Sequence, residues 1–195
     1  MSRWSALATG ALAVLATLAC STAVPTETPG VSRVGATALR YTGPDIEAVV
    51  SYRFADGSLG DEWLLLDIAL TGSRHDTVEV KRDGIFLRAP SGEDIPLAAQ
   101  DEFAAAYGVL APVLARADIA AEPLGYWAGR GDERLEFFTT PGEALVFPSF
   151  WVNDRQVYTG RLFFHVPGGI QAGRYELRVK LPESELHVPF RLGSV

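Results

Sequence analysis

The stretch RYELRVK, residues 174–180, sets apolar and charged side chains in strict alternation. A strand points successive side chains to opposite faces. Tyr175, Leu177 and Val179 therefore form one apolar row, while Glu176, Arg178 and Lys180 face water. A helix would scatter the same residues around its circumference. The alternation returns near the C-terminus, where Leu186, Val188, Phe190 and Leu192 interleave with Glu185, His187, Pro189 and Arg191. Pro189 has no N–H to give a ladder, which predicts that this last strand lies at a sheet edge or bulges there.

The same period of two extends upstream. Ile46 to Phe54 and Trp63 to Leu70 are strand candidates joined by ADGSLGDE. In the second, Leu64, Leu66, Ile68 and Leu70 share a face and Asp67 lies on the other. Val78 and Val80 open a strand that Gly84 interrupts and Ile85-Phe86-Leu87 resumes. The turn APSGED then predicts a hairpin to Ile95-Pro96-Leu97. Leu135 to Phe138, Ala144 to Phe150 and Arg161 to Val166 bring the set to about nine short strands. So many short strands between turn signals predict a mainly β fold, an antiparallel β-sandwich.

One segment departs from that period. Gln100 to Ala121 is rich in Ala and spaces Phe103, Tyr107, Leu110 and Leu114 three to four residues apart. This predicts an amphipathic helical insert over 100–121. Gly108 and Pro112 both weaken a helix interior, so a short bent helix or two shorter ones are expected. Residues 122–132 read as a long loop.

TGRLFFHVPGGIQAGRYELRVKL, residues 159–181, together with TTPGEALVF, residues 139–147, resembles the closing strands of Ig-like domains of unknown function in bacterial envelope lipoproteins. The resemblance implies an Ig-like sandwich, and a fold of that kind names no activity. The helical insert is not part of it.

The first residues carry a second resemblance. MSRWSALATGALAVLATLA, residues 1–19, has one charge, Arg3, and then no other from Ala6 to Ala19. That apolar run is shorter than the roughly 20 residues needed to span a bilayer and fits the core of a secretory signal. It ends in Thr17-Leu18-Ala19-Cys20, which resembles the lipobox of bacterial lipoproteins. The resemblance implies cleavage after Ala19 and acylation of Cys20, although Thr17 stands where that family usually has Leu. Cys20 is the only cysteine, and a domain without disulfides has no structural need of one. Each buried CH₂ contributes ~0.8 kcal/mol, so stable anchoring takes two acyl chains or more. The alternative is cleavage after Ser21-Thr22-Ala23, giving a soluble exported protein.

Ser21 follows the cysteine where Asp favours inner-membrane retention in the lipoprotein family, so the resemblance implies the outer membrane. STAVPTETPGVSRVGA, residues 21–36, has few bulky residues and reads as part of a flexible tether over 20–36. The expected domain then runs over 37–195, about 160 residues, enough for one sizeable core.

The chain carries 24 acidic residues against 17 Lys and Arg, a formal charge of −7, and no basic run. It would repel nucleic acid phosphates, so no nucleic acid partner is expected. His75, His165 and His187 are dispersed, with no HExxH and no cysteine beyond Cys20 to join them, so no metal and no cofactor are expected. No Gly-x-Ser-x-Gly elbow is present. Asp56, Asp61 and Glu62 cluster at a glycine turn without the oxygen spacing of a calcium loop. Gly125 to Gly131 lacks the Lys and Ser or Thr of a phosphate loop, and Arg130-Gly131-Asp132 is a tripeptide of chance frequency. No residue is assigned a catalytic role.

Aromatic residues concentrate in two irregular stretches, Tyr126 and Trp127 in one, and Phe147, Phe150, Trp151 and Tyr158 in the other. Asn153 and Arg155 lie beside the second. Brought to one end of a sandwich, Tyr126, Trp127, Trp151, Asn153, Arg155 and Tyr158 would make an apolar platform with a polar rim. The competing expectation is that these rings fill the core. The expected function is a non-enzymatic interaction domain, lipid-anchored in the envelope, with an envelope protein or a glycan as partner. A carbohydrate-binding module using Trp127, Trp151 and Tyr158 is one alternative, and a hydrolase built on dispersed carboxylates is another.

Overall fold

The computed structural model describes residues 28–121, 124–143 and 146–193. The leader 1–19, Cys20 and tether residues up to 27 lie outside them. The chain is already paired before residue 37: β1 (Val31–Arg33) runs antiparallel to β2 (Ala38–Thr42), inside the segment expected to be a tether.

A mainly β, antiparallel sandwich follows. β3 (Ile46–Ser51) leads through a single helical turn, α1 (Arg53–Asp56), to β4 (Trp63–Gly72). β5 (Val78–Lys81) and β6 (Ile85–Arg88) are separated by a tight 3₁₀ turn at Arg82–Gly84, and β7 (Asp94–Pro96) closes the expected hairpin. After the long helix α2 (Gln100–Ala120) come β8 (Gly131–Leu135), β9 (Ser149–Val152), β10 (Gln156–His165), β11 (Gly173–Lys180) and β12 (Glu185–Leu192). One sheet has the order β1-β2-β3-β4-β10-β8 and the other β12-β11-β6-β7, with β5 and β9 as a separate ribbon. Every pairing is antiparallel except β8 on β10.

The core lies between the two large sheets. Leu64, Leu66, Ile68 and Leu70 of β4 meet Tyr175, Leu177 and Val179 of β11 and Leu186, Val188 and Phe190 of β12 in one buried cluster. β12 is an edge strand, which is where Pro189 is tolerated. The Tyr175 hydroxyl both accepts from the Gln171 N–H (3.0 Å) and donates to the Gln171 carbonyl (3.1 Å). A tyrosine bonded to backbone a few residues upstream is the tyrosine corner of β-sandwich domains.

The outer face of the larger sheet is covered as well. α2 lies over it, and Phe103, Leu110 and Ala117, seven residues apart along the helix, are buried with Leu65 of β4 and Phe163 of β10. Asp67, on this outer face, is therefore only 9% exposed.

α2 is one continuous helix of 21 residues and neither a short insert nor a pair. Gly108 and Pro112 both lie on its exposed side. The carbonyl that Pro112 leaves without an N–H partner is that of Gly108, four residues earlier, on the same solvent-facing side.

The strand expected at Leu135–Phe138 is instead Gly131–Leu135, and that expected at 144–150 is Ser149–Val152. β8 has four exposed residues and only Leu135 buried, so it carries no alternation to read. Gly160 secures its attachment: a Cβ there would fall 2.7 Å from the Leu135 carbonyl oxygen.

If α2 is held by its buried row, Leu110→Ala costs about 2–4 kcal/mol, and Val109→Ala, on the exposed side, changes stability by less than about 0.5 kcal/mol. Denaturant unfolding of the two variants measures the difference.

Candidate functional site

α2 does not cover the whole outer face. Between it and β8 the sheet is open, leaving a groove of about 790 Å³, a size within the ~300–1,000 Å³ of small-molecule and peptide-anchor sites. Its floor is the outer row of β10, Val157, Thr159, Arg161 and Phe163, with Asp67 beside them. Phe103, Tyr107, Leu114 and Asp118 of α2 form one wall, and Tyr126 and Trp127 belong to the facing loop. Asp132, Arg134 and Glu136 make the rim.

Arg161 is the polar centre of the floor. Its Nε lies 2.8 Å from Asp67 and its Nη1 2.6 Å from Asp118, so one guanidinium joins β4, β10 and α2. Burial acts to lower its pKa, but the hydrogen bonds to Asp67 and Asp118 outweigh burial and raise it. Asp67 and Asp118 thus share one cation, and the cluster keeps a net negative charge.

The 124–130 loop is positioned by Trp127 and Arg130, which reach the outer face of the neighbouring strands. The Trp127 indole N–H donates to Glu47 Oε2 at 3.2 Å, and the Arg40 guanidinium sits 5.7 Å from the Trp127 ring. Arg40 pairs with the same Glu47 at 2.6 Å. Arg130 donates to Thr71 Oγ1 (2.5 Å) and to the Gly72 carbonyl (3.2 Å). The tripeptide Arg130-Gly131-Asp132 is therefore divided between a loop staple and the start of β8. Burial would raise the Glu47 carboxyl; the hydrogen bonds from Arg40 and Trp127 outweigh it and hold the group below its ordinary value.

On the other side of β8 is a second cleft, of about 570 Å³, facing the β5–β9 ribbon. Phe147, Phe150, Trp151 and Tyr158 line it together with Glu133. Trp151 is 56% exposed and Phe147 53%. Phe150 anchors the aromatic row to the core, 4.9 Å from Phe137 and 5.7 Å from Tyr158 between ring centroids.

The expected platform is thus divided. Tyr126 and Trp127 belong to the groove, Trp151 and Tyr158 to the cleft, and β8 runs between. Asn153 and Arg155 line neither: Asn153 Oδ1 accepts from the Arg155 N–H (2.9 Å) to form the β9–β10 turn. Arg161 was not legible as a site residue because it occupies the outward register of a strand, where a charge ordinarily meets solvent.

Arg82 was missed for a different reason. It donates to the carbonyls of Ala98 and Phe137 and lies 4.4 Å from the Phe138 ring, clamping the segment after β8 to the entry of α2. Its carbonyl partners are distant in sequence, and nothing in the sequence marks them.

The three histidines are each beside a carboxylate: His75 with Asp154, His165 with Glu102 and His187 with Glu176. Among the described residues no three His, Cys, Asp or Glu side chains group to hold a metal ion, and no helix is long and apolar enough to cross a membrane. Asp56, from the carboxylate-rich turn, accepts the Gly193 N–H at 2.8 Å.

Comparison with family models, curated proteins and solved structures found no match to this chain.

A depressed carboxylate stabilises the fold above its unfolded value and loses that contribution as pH falls through its folded one. The Trp127 indole N–H resonance is therefore expected to hold constant from neutral pH to about 4.5, the ordinary Glu47 value, and to shift below it. In Glu47→Gln that acid transition disappears. A shift at the same pH in the variant would assign it to another group.

Proposed function

We propose that this chain is an exported lipoprotein of the bacterial envelope, anchored through Cys20 to the outer membrane, whose sandwich is a non-enzymatic binding module. What supports this reading most is the groove between α2 and β8. It is open and of ligand size, and it combines aromatic walls with a charged floor. Asp67 beside its floor and Asp118 of its α2 wall are both engaged by Arg161. The tyrosine corner at Tyr175 supports the Ig-like resemblance.

Anchoring adds to what such a site can do. A tethered domain meets membrane-bound partners at a high effective concentration, so modest intrinsic affinity suffices. The charged end of the chain's ledger fits a protein partner or a neutral glycan better than an anionic polymer.

A carbohydrate reading is supported by one observation, the exposed face of Trp151 beside Tyr158. Trp127 contributes less to it, because Arg40 occupies one side of its ring and Glu47 its N–H.

The reading is tested in cells with the full chain. Cys20→Ala is expected to move the protein from the membrane fraction to the soluble one, and the wild-type N-terminal peptide to carry acyl mass. A photocrosslinker in place of Tyr126 is expected to capture an envelope component that the same group at Arg174, exposed on the far sheet, does not. An unmodified peptide beginning after Cys20 would contradict the anchor. Identical capture from both positions would contradict the groove.

A further inference from the structure

β8 pairs with β10 on one side only. In a parallel ladder, alternate residues turn their N–H and C=O groups to the same neighbour. Gly131 donates to the Arg155 carbonyl at 2.9 Å, and Gly131, Glu133 and Leu135 stand in register with Gln156, Tyr158 and Gly160. The backbone groups of Asp132 and Arg134 therefore point outward, and no described strand pairs with them.

We propose that this outward edge of β8 accepts an extended basic segment of a partner polypeptide as an added strand, its side chains alternating between the groove and the aromatic cleft. The inference rests on the reading of the domain as a binding module and names its partner.

Three observations carry it. Asp132, Arg134 and Glu136 border both cavities, so a strand laid along β8 would present successive side chains to the two in turn. The cleft offers exposed apolar faces, Phe147 and Trp151, where a monomer surface would ordinarily be polar. The edge is also negative: Asp132, Glu133 and Glu136 stand against Arg134. The Tyr158 phenol registers the same field, since burial and then the Glu133 charge both raise its pKa.

A lysine or arginine entering the cleft meets carboxylates at its rim and aromatic faces within it, and both attract a cation. The charges also select against a second copy of this chain, which would set Asp132, Glu133 and Glu136 against their own kind.

The probe is a nine-residue synthetic peptide alternating Lys with Val and Tyr, titrated into the full chain and followed by calorimetry. Its controls are the same peptide with Glu for Lys, and one methylated on alternate backbone nitrogens. The Lys peptide is expected to bind, and both controls to lose roughly tenfold or more in affinity. Arg134→Pro removes one outward N–H and is expected to lose binding to the same extent, and Trp151→Ala to weaken it.

The methylated peptide keeps the test decisive if Arg134→Pro fails to fold. Equal binding of the Lys and Glu peptides, full binding of the methylated peptide, or no binding at millimolar concentration would overturn the added strand. So would displacement-free binding of glycan fragments at Trp151 with no peptide bound. Such failure alongside a specific Tyr126 crosslink refutes the strand alone; loss of that crosslink refutes the binding module itself.

Discussion

The contact of Phe103 with Phe163 and Phe138, at ring-centroid distances of 4.9 and 5.1 Å, fixes α2 on the outer face of the larger sheet. Everything proposed for this domain depends on that placement. Without the helix, Leu65 and Phe163 would be exposed, and the face of β4 and β10 would have no wall to make a groove. With it, Asp67 and Arg161 leave water together. Burying both charges is tolerable only because the pair is closely bonded and Asp118 adds a second acceptor. The apolar contact and the ion pair are thus two halves of one device: the rings set the distance, and the guanidinium sets the register of helix on sheet.

The elements with one buried face were legible in the sequence. β11 and β12 alternate cleanly because their outer faces meet water, where Arg178 pairs with Glu185 at 2.6 Å and His187 with Glu176 at 2.9 Å. The hairpin from β6 to β7 follows from its turn residues, and α2 from its period. β4 was legible as a strand with Leu64, Leu66, Ile68 and Leu70 on one face, but not the partner of its outward Asp67, which is Arg161 of β10. β8 was illegible: it buries almost nothing, and its pairing depends on the missing side chain of Gly160. The site was half legible. The aromatic stretches were found, but their division on two sides of β8 follows from a strand the sequence does not announce.

That division is informative. A core-filling role suits Phe150 and Phe137, which meet edge to face in the interior. Trp151 and Phe147, exposed at the end of the same row, add nothing to the core. Trp127 is spent on fastening its loop to Arg40 and Glu47. The sandwich thereby presents a single sheet edge with an apolar cleft on one side and a charged groove on the other.

The most direct test of this account is amide hydrogen exchange along β8 in the full chain without any partner. Glu133 and Leu135, bonded toward β10, are expected to be protected at the level of the sheet, while Asp132 and Arg134 exchange at nearly the rate of open chain. Uniform protection across the four would mean that the edge is already satisfied, and the binding face described here would not exist.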